Sequence, residues 1–224
     1  MTVHERSPSP AFAGLRDADA HATFEVLALC TRQELAAGEV ARSEDFEDVA
    51  LLVLEQGVLA LRADIPHGRR GVIVCHVQPG AVLLPPESGE ALRALEDAVI
   101  LAVPPEIRDR LLAIPAAAQV VVDALAATLR QKTRTIANLS SFHHVDRLRS
   151  KLVQLAQDHG RVGRDGVRLD LRLTHDLLAE MIGSARETVT RALEELQREG
   201  FVVREGRDYI LRVPPDRIHL PTDL

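Results

Sequence analysis

The stretch Leu173 to Gly200, LTHDLLAEMIGSARETVTRALEELQREG, limits the possible folds of this chain more than any other, because it reads as a helix, a tight turn and a second helix. Thr174 is a suitable N-cap, and Leu177, Leu178, Met181 and Ile182 give the first helix an apolar stripe that Gly183 ends. Ser184 is then expected to cap the second helix. In that helix Val189, Ala192, Leu193 and Leu196 share one side, and Arg186, Glu187, Thr190, Arg191 and Glu194 lie around the other. The outer face thus places Arg, Glu and Thr near a helix N-terminus, the end that reaches base edges when a helix enters the major groove. The same residues have a plainer reading. Ser184 and Glu187 form S-x-x-E, a capping box, and Glu187 and Arg191 are spaced as a solvated i,i+4 pair.

The flanking segments favour the first reading. After Gly200, Phe201-Val202-Val203-Arg204-Glu205 and Tyr209-Ile210-Leu211-Arg212-Val213 bracket a Gly206-Arg207 turn, which predicts a hairpin and so a winged helix-turn-helix. Upstream, Phe142 to His159 is amphipathic, with Val145, Leu148, Leu152, Leu155 and Ala156 on its apolar side. Residues 157–166 read as a polar loop, and Val167 to Leu173 alternates like a strand.

The run Ser184-Ala185-Arg186-Glu187-Thr188-Val189-Thr190-Arg191 resembles the opening of the recognition helix in the Crp/Fnr transcription regulators. The resemblance implies that Arg186, Glu187 and Arg191 contact bases and that Thr174, Ser184, Thr188 and Thr190 contact the DNA backbone. The chemistry is consistent, since Arg can fork onto the two acceptors of guanine and a carboxylate can accept from the cytosine amino group. One position departs from the family pattern: Ala185, before the first Arg, has no hydroxyl to offer a phosphate.

Further toward the N-terminus Ala118, Val122, Leu125, Leu129, Lys132, Ile136 and Leu139 are separated alternately by four and three residues, a heptad seam. Pro115 suits the first turn of such a helix. A helix packed on its own domain would show the same pattern. By resemblance, this is the family's dimer helix, with Val122, Leu125, Leu129, Ile136 and Leu139 in the interface. A two-fold dimer is also what a palindromic DNA site requires.

From about Glu39 to Val103 the chain is β-rich. Val49 to Leu54 and Val58 to Ile65 bracket Gln56-Gly57 as an expected hairpin, and a second turn at His67-Gly68 leads into Val72 to Val77. Val99 to Val103 reads as a last strand, followed by a short helix from Glu106 to Ile114. The order of elements resembles that of the family and predicts an α+β chain: a β-roll of the cyclic-nucleotide-binding type, a long dimerisation helix and a winged helix-turn-helix. The expected boundaries are a loose tail over 1–20, a sensor domain over 21–114, the dimer helix over 115–141 and the DNA-binding domain over 142–224.

A chain of 224 residues with 46% hydrophobic content suffices for two modest cores. The net charge of −6 is unevenly spread: from His143 onward 14 Lys/Arg face 14 Asp/Glu, whereas the preceding residues carry 13 against 19. An acidic half is repelled by nucleic acid, so binding must rest on Arg gathered on one C-terminal face. Ser7-Pro8-Ser9-Pro10 lies in a segment without the apolar run of a signal peptide, and no stretch approaches the ~20 apolar residues of a membrane span. The two cysteines, Cys30 and Cys75, read as reduced core residues, and the expected location is the cytoplasm.

The sensor half departs from the family in one functional respect. Cyclic-nucleotide-binding members place a Glu after a glycine and an Arg before a pair of small residues around the cyclic phosphate. The corresponding segment, Gly80 to Leu92, offers no such Glu after the glycine of its first turn, where Ala81 follows Gly80, and no Arg before a pair of small residues in its second. A phosphate without such partners is poorly held, so control by cyclic AMP is not expected. Arg93 is the nearby cation. Two distant cysteines cannot hold an iron-sulfur cluster. Cys75 and His76, adjacent on a strand, should divide into one core and one surface residue. Lys132, with Thr133, is the odd member of the seam. Either its stem snorkels to water or two such lysines flank an anionic effector. No cofactor, metal or catalytic set is expected.

The resemblance implies a sequence-specific DNA-binding transcription regulator, working as a homodimer on palindromic TGTGA-like half-sites and with RNA polymerase as a partner. The alternative is a ligand-binding or protein-interaction module that uses the winged helix only as a scaffold.

Overall fold

The computed structural model describes residues 9–64, 71–139, 143–169, 171–206 and 208–213. A 3-10 turn at Pro10–Phe12 precedes α1 (Asp17–Leu27), β1 (Thr31–Leu35), β2 (Val40–Arg42), β3 (Leu51–Gln56), β4 (Leu59–Ala63), β5 (Val72–Val77), β6 (Val82–Leu83), β7 (Glu90–Ala94) and β8 (Ala98–Val103). Then come α2 (Pro105–Leu112), α3 (Pro115–Leu139), α4 (His144–His159), β9 (Gly160–Gly163), β10 (Gly166–Leu169), α5 (His175–Ile182), α6 (Arg186–Arg198), β11 (Val202–Glu205) and β12 (Asp208–Leu211). Two compact units result: one holds residues up to Asp64 with Val74–Arg134, the other Thr135 onward with the segment ending at Ile73. The division falls within α3, so the long helix is not a unit of its own as the expected boundaries 115–141 had it.

In the N-terminal unit two four-stranded antiparallel sheets, β1-β8-β3-β6 and β2-β7-β4-β5, form a roll. Strand alternation gives each sheet two faces. Leu52 and Leu54 of β3 and Ile100 of β8 point into the roll with Leu59, Leu61, Leu83 and Leu92. Their neighbours Leu51, Val53, Leu101 and Val103 face a second core made with α1, α2 and the start of α3. Burial on both faces explains why β3 and β8 read as continuous apolar runs rather than alternating ones.

Several expectations are corrected. Gln56-Gly57 does not close a hairpin, because β3 pairs with β6 and β8 in one sheet while β4 pairs with β7 in the other. The turn there carries the chain between sheets, and only glycine fits: φ is +78° and an added Cβ would lie 2.2 Å from the Asp97 carbonyl oxygen. The expected tail over 1–20 contains, in its described part, the 3-10 turn and the start of α1, with Phe12 buried in the second core. Cys75 and His76 are both buried, so they do not divide into one core and one surface residue. The His67-Gly68 turn lies outside the described residues, although β4 and β5, which it would join, are neighbours in one sheet.

In the C-terminal unit the sheet order is β11-β12-β10-β9. The segment expected as a polar loop, 157–166, holds the end of α4 and the strand β9, and the strand expected to reach Leu173 ends at Leu169. Leu148, Leu152, Leu155 and Ala156 of α4 are fully covered, together with Leu178 of α5, Val189 and Leu196 of α6 and Leu211 of β12. α4 spans His144–His159, and Phe142, its expected first residue, lies outside the described residues.

Candidate nucleic-acid interface

α5 begins as its sequence predicts, with the Thr174 hydroxyl accepting from the Leu177 amide at 3.1 Å. It ends at Gly183, whose φ of 59° and ψ of 51° are the left-handed conformation of a glycine C-cap, and the Ser184 amide donates to the Ala179 carbonyl at 2.9 Å. The turn is tight against α3: a Cβ on Gly183 would come within 3.0 Å of Leu139 Cδ2.

α6 starts one residue later than expected. Ala185 occupies the N-cap position, where it has no side chain to offer, so the Ser184–Glu187 capping box does not form. Ser184 instead turns toward α4, its Oγ lying 3.2 Å from His144 Nδ1. That leaves the Glu187 carboxylate exposed on the first turn of α6.

The two faces of α6 divide cleanly. Val189, Ala192, Leu193 and Leu196 are buried, and Arg186, Glu187 and Arg191 are exposed. Arg186 lies 3.9 Å from the Asp176 carboxylate, and its side chain is 60% exposed, so the ion pair is weak and readily exchanged. Arg191 donates from Nε to the Glu187 carbonyl at 3.4 Å, which keeps the guanidinium along the N-terminal half of the helix.

Thr190 is less open to a phosphate than expected. Its hydroxyl donates to the Arg186 carbonyl at 3.1 Å and lies 2.9 Å from His175 Nδ1, and both residues are half-buried. With the hydroxyl proton committed, His175 must donate from Nδ1, which fixes its neutral tautomer. Burial lowers the His175 pKa below the ordinary range, Arg204 and Arg186 lower it further, and Asp176 opposes them. Thr188 is half-buried on the flank of α6, and Thr174 is exposed at the start of α5.

Sequence reasoning missed His175 and the wing residue Arg204. Arg204 lies 5.8 Å from the Tyr209 ring centroid, and its Nε donates to the Gly206 carbonyl at 3.2 Å. His175 is the first residue of α5 and Arg204 lies on β11, and neither element's sequence pattern shows what its side chain meets in the fold. Elsewhere in the wing, Arg168 donates to both Asp208 and Glu205 at 2.8 Å, an exposed fork that joins β10 to the β11–β12 hairpin.

The seam of α3 is split. Val122, Leu129 and Ile136, seven residues apart, are 57%, 65% and 60% exposed and form one outward edge. Leu125 packs against the second core of the N-terminal unit, and Leu139 is half-buried. Lys132 turns away from that edge to the roll, where Nζ meets Glu90 Oε1 at 3.3 Å. Thr133 is exposed and donates to the Leu129 carbonyl. Arg93 is half-buried on β7, opposite Val40 and Ala60.

A β-roll followed by a long helix and a winged helix-turn-helix defines the architecture of Crp/Fnr regulators. Residues 146–215 match the Crp-like helix-turn-helix domain. The chain is similar to the global nitrogen regulator of Synechococcus elongatus, 35% identical over 104 residues covering 46% of this chain and 47% of the relative. It is also similar to the CRP-like cAMP-activated global transcriptional regulator of Mycobacterium tuberculosis, 30% identical over 107 residues covering 48% and 43%. The matched region thus spans about half the length of these relatives. Among solved structures, a CooA variant from Carboxydothermus hydrogenoformans covers 95% of this chain and 94% of its own at a TM-score of 0.76 and 19% identity. A CRP-family regulator from Thermus thermophilus covers 81% and 92% at 0.66 and 24%. At these identities the likeness shows the fold, and the fold is that of the Crp/Fnr class.

Proposed function

We propose that this chain is a sequence-specific DNA-binding transcription regulator of the Crp/Fnr type that reads a palindromic site as a cytoplasmic homodimer. The observation that carries this reading is the division of α6: one face is locked into the core, and Arg186, Glu187 and Arg191 stand exposed around its first turns. A helix with this face in the major groove offers two guanine-reading forks and one cytosine acceptor. Thr174, Ser184, Thr188 and Thr190 border it as candidate backbone contacts. The exposed edge of Val122, Leu129 and Ile136 on α3 supports the dimer reading, since it offers an apolar surface for two-fold pairing, and a two-fold pair would present two recognition helices to two TGTGA-like half-sites. RNA polymerase is the expected protein partner.

The reading includes independence from cyclic AMP, because the first turn, at Gly80, has no Glu after the glycine and the second has no Arg before a pair of small residues. If an anionic effector sits in the N-terminal unit, Lys132, Thr133 and Arg93 are the residues to hold it, and it must displace Glu90 from Lys132.

Selection from random duplexes tests the proposal. The expected result is a palindrome of two half-sites whose binding weakens steeply with salt. Equal retention of all duplexes, or none, would instead favour a protein-interaction module in which the winged helix is only a scaffold.

A further inference from the structure

Histidine is the side chain that changes charge near neutral pH, and His175 stands among the groups that the proposed function turns toward DNA. Its Nδ1 lies 2.9 Å from the Thr190 hydroxyl, which gives its own proton to the Arg186 carbonyl at 3.1 Å. Nδ1 therefore carries the proton of the neutral ring, and Nε2 is left with the lone pair. Nε2 makes no hydrogen bond among the described residues and is open to solvent. The charges that act on the ring are those of Arg204 on β11, Arg186 on α6 and Asp176 on its own helix, and all three residues are exposed. α4, which also packs on α5, meets its other end, where Arg147 and Lys151 lie with Met181 and Ile182. Burial and the two guanidinium groups keep the ring neutral in the free protein, with Asp176 opposing them.

We propose that the chain takes up a proton at His175 on binding DNA, so that this imidazole is a backbone contact only in its charged form. The inference rests on the DNA-binding reading and adds to it a contact residue and a dependence on pH. In the neutral ring Nε2 is an acceptor, and so are the oxygens of a phosphodiester, so the two do not bond. Protonation turns Nε2 into a donor and leaves the bond to Thr190 in place, because Nδ1 donates in both forms. The switch therefore needs no rearrangement of the helices. What opposes the proton in the free protein is burial and the positive field of Arg204 and Arg186. A phosphate beside these residues cancels much of that field and accepts a charge-assisted hydrogen bond, and both effects favour the charged ring. By linkage, a group whose pKa rises on binding strengthens binding as pH falls through the bound value. The gain is at most about tenfold per pH unit for each proton taken up, and it levels off below the free value.

The test is the affinity of the full-length protein for a duplex recovered by selection, measured from pH 8 to 6 at constant ionic strength. Titration calorimetry in two buffers of different ionisation enthalpy counts the protons taken up. Affinity should rise about 3- to 10-fold toward pH 6, as expected for a shift of up to one unit at one imidazole, with net proton uptake on binding. His175→Gln keeps a donor for Thr190 and cannot charge, so it should flatten the profile, whatever its affinity at pH 8. If that variant does not fold, the titration of the His175 ring followed by NMR in the wild type decides, and its pKa should move up on the duplex. Affinity independent of pH overturns the proposal, as does a rise that survives His175→Gln or a ring whose titration the duplex leaves unchanged. Loss of the rise in His144→Gln but not in His175→Gln also overturns it, by assigning the proton to the imidazole beside Ser184. A selection that recovers no duplex is the failure of the DNA-binding reading, and the proton inference falls with it. A selected duplex bound equally well at every pH leaves that reading standing and removes this inference alone.

Discussion

The Thr190 hydroxyl bridges His175 at the start of α5 and the Arg186 carbonyl at the start of α6, at 2.9 and 3.1 Å, so one side chain links the two helices of the helix-turn-helix at their N-terminal ends. Thr190→Val keeps the shape and removes both bonds. The expected cost is about 1 kcal/mol of stability, and DNA affinity should fall further than stability because Arg186 is carried by the same turn. Denaturant melts and retardation assays on one selected duplex measure the two effects. Wild-type affinity in the variant would show that Thr190 does not position Arg186.

A pH dependence follows from two half-buried imidazoles. Burial lowers the pKa of His175, with Arg204 and Arg186 adding to it, and burial together with Lys151 lowers that of His159. In the unfolded chain both titrate near the ordinary value of about 6.5. As pH falls through that value the unfolded chain takes up protons first, so stability is full above it and declines on acidification. Melting temperature measured from pH 8 to 5.5 should drop over the acid half, and a His175→Gln, His159→Gln double variant should show a smaller drop. An equal drop would assign the loss to other groups.

Helix periodicity made most of the C-terminal unit legible: the caps at Thr174 and Gly183 and the buried sets on α4, α5 and α6 lie where local spacing puts them. The N-terminal unit was harder to read because β3 and β8 are buried on both faces and show no alternation, and pairing between strands distant in sequence cannot be inferred from turn residues such as Gln56-Gly57. In the candidate site, Arg186, Glu187 and Arg191 were visible as one helical face. Ser184 was misplaced as a cap because whether Ser184 or Ala185 takes that position depends on backbone geometry after Gly183, where Ser184 is drawn to His144. His175 and Arg204 were missed because their surroundings are assembled from separate elements.

The dimer reading can be tested without disturbing the core. Leu129 and Ile136 are exposed, whereas Leu125 packs inside its own unit, so Leu129→Asp with Ile136→Asp should leave the fold intact. Sedimentation is expected to show a dimer for the wild type at micromolar concentration and a monomer for the double variant, with palindrome binding reduced at least tenfold by loss of the second half-site contact. A monomeric wild type would remove the two-fold symmetry on which the half-site argument depends.

Replacing Arg186 or Arg191 by Ala should cost about 1 to 3 kcal/mol on the selected site and relax preference at one base pair in each half-site. Glu187→Ala should relax preference where a cytosine amino group is read. Affinities across a panel of single-base variants provide the measure. A uniform loss on every sequence would make these side chains phosphate contacts only.

Cyclic AMP should leave both melting temperature and DNA affinity unchanged up to millimolar concentration. A ligand shifts a binding equilibrium only through unequal affinity for the states involved, and a cyclic phosphate finds no Glu after Gly80 in the first turn and no Arg before a pair of small residues in the second. Arg93 follows the segment on β7, and Lys132 is engaged by Glu90 at 3.3 Å. Capture of Lys132 by cyclic AMP would require breaking that pair, so Glu90→Gln separates two cases. If cyclic AMP stays silent in the Glu90→Gln variant as well, the roll has no cyclic-nucleotide site. If it becomes active there, Glu90 is the group that excludes it. Micromolar binding to the wild type by calorimetry would refute the prediction outright and direct attention to Arg93.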